Sequence, residues 1–335
     1  MPFFDGSASA KVEARFLSPN GAAFSPAVTL TSAGAWFSHI PPLPSPAAAR
    51  HLGSVIRKVS PDIACQDVPG PMKPISATEL AKFELRGAWL QNPPGFPGGM
   101  PALPEWMKRY GLNALFARRE ALGSGDAGAR RFLGIADKAG VGVHLWLNAF
   151  EPSSDGRWTI PHGGEARGRR VQELLDSIPQ GVAGVQLDYV RMPSSEVATA
   201  GNMEDISLFV RTFSRMFRRA RPGCALSAAV FPTPEAAAKR GQDWPRWVRE
   251  GWVDFVSPMI YTESPIAFKR DLALCKEAAP ASALVPGIAA CADEASPDRD
   301  SVRAQLGAAD ALKGVSFFAL DWALGALCGY TDVKP

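Results

Sequence analysis

Histidine is scarce: four occur in 335 residues, at 39, 51, 144 and 162, and no two stand four apart. That spacing would put two imidazoles on one helix face, so a histidine-built metal site is not expected. The five cysteines (65, 224, 275, 291, 328) are widely separated and form no C-x-x-C pair. Neither a zinc knuckle nor a disulfide framework fits that pattern, whereas a reducing compartment does. No apolar run reaches the roughly 18 residues of a membrane-spanning helix. The start, Met1-Pro2-Phe3-Phe4-Asp5, lacks the basic-then-apolar layout of a signal peptide, which makes the cytoplasm the default expectation. Excess charge is missing too. With 36 basic and 33 acidic residues the net is +3, too little for a dedicated nucleic-acid surface. The basic run at 211–221 reads better as one face of a helix. No Walker motif is present, and no cofactor is expected.

The chain has enough apolar residues to bury a sizeable core, at 46% hydrophobic against 21% charged. Its texture changes near residue 80. Residues 1–80 show little helical periodicity. Segments 11–17 and 27–31 alternate like strands, with Pro19-Asn20-Gly21 as a turn signal. A proline-rich stretch follows at 40–46, and a short helix is predicted at 47–59. This part reads as a small β-rich appendage or arm, and residues 81–335 as the main domain.

From Glu84 onward, short apolar runs alternate with amphipathic stretches. Eight strands are predicted: 85–91, 112–118, 141–148, 184–190, 225–231, 253–261, 283–289 and 314–321. They are nearly continuous in apolar residues, as strands covered on both faces should be. Between them, Val171, Leu174, Leu175 and Ile178, and then Ile206, Phe209, Val210, Phe213 and Phe217, recur at helical spacing. Thr233-Pro234, Ser264-Pro265 and Ser296-Pro297 each offer an N-cap followed by a first-turn proline. Their prolines lie 31 and 32 residues apart, the length of one strand-helix unit. Eight such units over about 250 residues predict an α/β fold, a (β/α)8 TIM barrel. A doubly wound open sheet is the competing arrangement, but the glycines at 95–99 are interrupted by proline where its phosphate turn should be.

Barrel chemistry sits at the C-terminal ends of the strands. The residues expected there are both aromatic and acidic. Asp188 leads, because a carboxylate within an apolar strand is costly unless paired or used. Its plain alternative is a buried ion pair with Arg191 or Arg118. Glu263 follows Tyr261 at the next acidic strand end, with a solvated or capping carboxylate as alternative. Asp321 either joins the site or ties the last strand to the first through Arg86. His144 and Asn148 share a strand and, four apart, a face. They could bind substrate hydroxyls or orient Asp188. Arg118 could grip an acidic sugar or hold Asp188 ionised. Trp89, Trp146, Tyr189, Tyr261 and Trp322 could stack on sugar rings or simply fill the barrel.

A resemblance emerges at these residues. Glu84-Leu85-Arg86-Gly87-Ala88-Trp89, Gly111-Leu112-Asn113-Ala114, His144-Leu145-Trp146-Leu147-Asn148 and Asp188-Tyr189-Val190-Arg191-Met192-Pro193 occur in order. So does Trp247 to Tyr261, in the pattern W-x-x-E-G-x-x-D-x-x-x-P-x-x-Y. Over about residues 84–325 the chain resembles the glycosyl-hydrolase-like barrel family typified by bacterial lipoproteins, which is related to exopolysaccharide-cleaving barrels. The resemblance implies glycoside hydrolysis. Three departures stand out. Leu187 replaces the first of two strand-four aspartates, Thr262 replaces a tryptophan after Tyr261, and strand seven ends without a glutamate.

The expected function is therefore hydrolysis of a polysaccharide or oligosaccharide by paired carboxylates. Asp188 would be nucleophile or charge stabiliser, and Glu263 the general acid, its pKa raised by burial among aromatics. Trp89, Arg118, His144, Trp146, Asn148, Tyr189, Arg191, Tyr261, Asp321 and Trp322 would bind the substrate. A carbohydrate is the expected partner, with no metal and no nucleic acid. The alternatives are a non-catalytic carbohydrate-binding barrel and a barrel enzyme of another class.

Overall fold

The computed structural model describes residues 75–90, 99–109, 111–150, 159–193, 195–289, 297, 299–318 and 320, together with the backbone of three N-terminal strands. The predicted helix at 47–59 and the Pro19-Asn20-Gly21 turn lie outside them, as does Ser296. The chain forms two compact units, Met1–Lys73 with Cys328–Pro335, and Pro74–Leu327. In the first, β1 (Lys11–Leu17), β2 (Ala23–Thr31) and β3 (Gly34–Phe37) form an antiparallel sheet in the order β1-β2-β3. The alternation of the sequence marked the first two; β3 was not anticipated.

The second unit is a closed barrel of eight parallel strands. They are β4 (Leu85–Leu90), β5 (Ala114–Ala117), β6 (Gly142–Asn148), β7 (Gly184–Asp188), β8 (Ala225–Val230), β9 (Phe255–Ile260), β10 (Gly287–Ala289) and β11 (Gly314–Phe318). Each coincides with one of the eight predicted runs, trimmed at its ends. Helices fill the intervals. Two of the three predicted proline caps are described: Thr233 Oγ1 accepts from Ala236 N at 3.2 Å and Ser264 Oγ from Ala267 N at 3.3 Å.

The register fixes the barrel's geometry. Following paired residues from Trp89 through Phe116, His144, Gly184 and Ala225, and on around the ring, returns to β4 eight residues lower. That stagger is the shear of a (β/α)8 barrel. It inclines the strands so that interior residues at one height come from alternate strands. At the C-terminal mouth the layer is Arg118, Asp188, Met259 and Phe318. Beneath it lie Trp89, Trp146, Ala229 and Gly287. Then come Phe116, Gln186, Ser257 and Ser316, and below them Gly87, His144, Ser227 and Val285.

The interior works by pairing large rings with missing side chains. A Cβ on Gly87 would lie 2.5 Å from Phe116 Cε2, and one on Gly184 would lie 2.6 Å from His144 Nδ1. The glycine of the first motif is thus the space occupied by the phenylalanine of the next strand. Other motif residues close the bottom of the barrel. Arg86 donates to the carbonyls of Gly111 at 2.6 Å and Phe83 at 2.5 Å, and Asn113 bonds Arg86 N and Glu84 O, each at 2.8 Å. Arg86 is thereby held at the end of β4 away from the mouth; Asp321, the partner the sequence suggested for it, lies outside the described residues. Asp254 accepts from Leu226 N at 2.7 Å and from Arg218 at 3.0 Å, and Trp247 Nε1 donates to Ser207 at 2.9 Å.

Two glycines give opposite expectations. Gly87→Ala should lower unfolding stability by about 1–3 kcal/mol, because the methyl group meets the Phe116 ring. Gly134 lies in the helix Gly125–Ala139 with nothing within 4 Å of its Cβ position. Gly134→Ala should raise stability by about 0.5–1 kcal/mol. Urea unfolding of both variants checks the pair.

Candidate active site

The mouth is organised around Asp188, the last residue of β7. Among the described residues it is the one buried carboxylate, 8% exposed. Both oxygens are held by N–H donors. Trp146 Nε1 donates to Oδ2 at 3.0 Å, and the Tyr189 main-chain N–H donates to Oδ1 at 2.6 Å. The second bond needs a sharp turn immediately after the strand. Tyr189 makes it with φ +50°, in the left-handed region that non-glycine residues rarely adopt. The anticipated ion pair is not what holds Asp188; Arg118 and Arg191 act on it through space. Burial is the largest influence and raises the Asp188 pKa, against the two hydrogen bonds and the arginine charges, which lower it. The carboxyl therefore keeps its proton to a higher pH than an ordinary aspartate.

Trp146 is fixed in turn. The Arg118 guanidinium lies 4.6 Å over its ring, and Trp89 packs edge-on at 5.1 Å. Phe318 packs edge-on against both tryptophans, and Tyr261 stacks on Phe318 at 5.3 Å. The end of β6 is clamped from the helix Gly163–Asp176, where Arg170 donates to the carbonyls of Ala149 at 3.0 Å and Asn148 at 3.2 Å. Ala149 N donates to Asp188 O at 2.7 Å, which locks β6 to β7 at the site. Asn148, paired in register with Asp188, has a buried Oδ1 with no hydrogen-bond partner among the described residues.

The structure therefore brings together Asp188, Trp146, Arg118, Asn148, Tyr189 and Arg191, with Tyr261 farther around the rim. It separates others. His144 is buried three layers below Asp188, between Phe116 at 5.1 Å and Phe255 at 6.0 Å. Burial pushes its pKa down to about 4, so it is a neutral core residue rather than a group at the mouth. Trp89 is only 2% exposed and packs the barrel instead of offering a stacking face. Glu263 is exposed on the loop after β9. Its side chain is exposed rather than buried among aromatic rings: β9 ends at Ile260, and Glu263 lies three residues beyond the barrel wall. Asp321 and Trp322 lie outside the described residues.

Sequence reasoning missed Phe318, Phe231 and Met259, which are half-buried at the mouth. A period of two along each strand would have marked them, since each continues the inward face. Arg170 and Arg240 carry no local signal. Arg170 reaches the rim from the helix Gly163–Asp176, and Arg240 from the turn that follows the helix Pro234–Ala238.

Trp146→Phe removes the indole donor and leaves Asp188 Oδ2 without it. The variant should lose about 1–3 kcal/mol at pH values above the Asp188 titration midpoint, where the buried carboxylate needs that bond, and clearly less below it, where the neutral carboxyl does not. Urea unfolding on both sides of that midpoint, which lies above the ordinary aspartate value, checks this; the pH comparison cancels the volume lost from the ring. An equal loss at both would mean the bond does not stabilise the ionised form.

No protein-family model matches the chain, and no curated protein matches it in sequence. Solved structures do resemble it. The spore cortex-lytic enzyme SleL of Bacillus cereus superposes with a TM-score of 0.53 at 13% identity, over 75% of each chain. A chitinase from Chromobacterium violaceum gives 0.51 at 16% identity, over 75% of this chain and 99% of its own. A class V chitinase from Pseudomonas fluorescens gives 0.54 at 13% identity, over 73% and 98%. At these identities the likeness is one of fold, and it places this chain among the (β/α)8 barrels.

Proposed function

We propose that the barrel is a glycoside hydrolase acting on a polysaccharide or oligosaccharide at the C-terminal mouth. The observation that carries this is Asp188: a buried carboxyl at a strand end, its pKa raised by burial, facing the open end of a barrel. The resemblance of the strand motifs to glycosyl-hydrolase-like barrels supports it, and so does the fold shared with chitinases and a cortex-lytic enzyme.

The surroundings favour a different division of labour from the one the sequence suggested. A carboxyl whose pKa is raised by burial suits the general acid, which protonates the leaving glycosidic oxygen. Glu263, exposed at the end of the strand two places away, suits the base that takes a proton from the attacking water. Strands about 4.8 Å apart put the ends of β7 and β9 roughly 10 Å apart, and Glu263, three residues past the end of β9, is taken to leave room for that water. An inverting displacement follows: the glycosidic C–O bond breaks as water attacks the opposite face of the ring. Asn148, Arg118, Tyr189, Arg191 and Tyr261 would hold the sugar, and Trp146 would hold Asp188.

A second reading is a carbohydrate-binding barrel without turnover. The exposure of Glu263 favours it, because an acid-base pair normally works in a site screened from bulk water.

Release of reducing ends from neutral, amino and acidic polysaccharides separates the two. Under the hydrolase reading, Asp188→Asn should cut kcat by about 10²–10⁴ with KM little changed, and Glu263→Gln should also lower kcat. The product should first appear with inverted anomeric configuration by proton NMR. Full turnover by Asp188→Asn would remove Asp188 from catalysis. Binding without release by wild type and variants would establish the binding module.

A further inference from the structure

Beside Asp188, whose charge faces Arg191, the rim carries a second guanidinium, that of Arg240. Arg191 lies 4.8 Å over the Tyr189 ring and 5.4 Å over Phe231, and Arg240 lies 5.8 Å over that same Phe231 ring. Two guanidinium groups thus share one aromatic ring. Like charges so placed repel each other; burial is the main influence lowering the Arg191 pKa, and the Arg240 charge adds to it, against the opposing charge of Asp188. Arg240 makes no ion pair among the described residues; its Nη1 donates to the Glu196 carbonyl. The neighbouring Glu235 is taken by Lys239 at 2.8 Å. On the other side of Asp188, Arg118 stacks on Trp146 with its guanidinium exposed and no ion pair among the described residues.

The arrangement is also rigid. Met192 N donates to Arg240 O at 2.9 Å, and Ala198 N donates to Lys239 O at 2.9 Å. These main-chain bonds tie the segment after β7 to the segment that carries Arg240. Gln242 Oε1 accepts from Phe231 N at 2.8 Å and fixes the shared ring's backbone. Repulsion between two cations is therefore held in place rather than relaxed by movement. An anion seated between them would relieve it and would accept charge-assisted, forked hydrogen bonds.

We infer that Arg191 and Arg240, stacked on Phe231, form an anion subsite, and that the glycan taken by this barrel carries carboxylate or sulfate groups. The inference rests on the hydrolase reading only for the word substrate; the subsite itself is a binding claim. A sugar ring bound over Asp188 would direct its acidic substituent to this pair, while Arg118 would meet a second charge along the chain.

The test is titration calorimetry of the whole protein with matched oligosaccharides. Oligogalacturonate and hyaluronan fragments are compared with their carboxyl-reduced forms, and chondroitin sulfate fragments with their desulfated forms. At least one acidic member should bind tenfold or more tightly than its neutral counterpart, and 0.5 M NaCl should largely abolish the difference. Arg240→Gln should remove most of that preference, whereas Arg130→Gln, an exposed helix arginine, should not. Whether the carboxylate or the sulfate pair shows the larger preference identifies the group recognised. Equal affinity for acidic and neutral forms, no binding of any acidic form, or a preference that survives Arg240→Gln overturns the inference. Selective binding of an acidic glycan without reducing-end release would keep the subsite and remove the hydrolase reading. Release from neutral glycans alone would do the reverse.

Discussion

A carboxylate withdrawn from water at the end of a β-strand has to find donors, or else keep its proton. Asp188 does some of each. The Trp146 indole and the Tyr189 amide satisfy its oxygens, yet burial still holds its pKa above the usual value. Much of the mouth follows from that arrangement. Trp146 must be oriented, so Trp89 and Phe318 pack its edges and Arg118 covers its face. Tyr189 must turn its amide back, so the chain enters the left-handed region there. The ends of β6 and β7 must stay level, so Arg170 clamps one and a main-chain bond joins the two.

The barrel makes this possible through volume rather than charge. Large rings occupy its upper layers and centre, and glycines on neighbouring strands give Phe116 and His144 their room. The motifs in which the sequence resembles glycosyl-hydrolase-like barrels divide accordingly. Arg86, Gly87, Asn113, Trp247 and Asp254 build and close the scaffold. Trp146, Asn148, Asp188, Tyr189 and Arg191 belong to the mouth. In barrels, groups at the N-terminal face of the strands serve stability and groups at the C-terminal face serve chemistry. A shared motif can therefore report the fold alone, which is why the site's geometry, and not the resemblance, carries the proposed activity.

The fold was legible because a buried parallel sheet writes itself as repeated apolar runs, and proline caps mark the helices between them. All eight barrel strands coincide with runs seen in the sequence. Asp188 was legible for the same reason, as a charge in an otherwise apolar strand. What was not legible was height within the barrel. His144 and Trp146 sit on one face of one strand, but two residues separate a core imidazole from the ring that holds the catalytic candidate. Height depends on shear, and shear depends on pairings with strands far away in sequence. The same limit hid Arg240 and Phe231, whose partnership exists only once β8 and the segment after it are folded. It also misdirected the reading of Glu263, because where a strand ends decides whether the next carboxylate lies among aromatics or in solvent.

The central claim is that burial at the barrel mouth keeps the Asp188 carboxyl protonated beyond the normal range of aspartate. The most direct measurement is the carbon-13 shift of that carboxyl as a function of pH, assigned by its absence from Asp188→Asn. The account predicts a midpoint clearly above the ordinary aspartate value of about 4. A midpoint at or below that value would show that the donors and arginines outweigh burial, and would contradict the assignment of Asp188 as an acid.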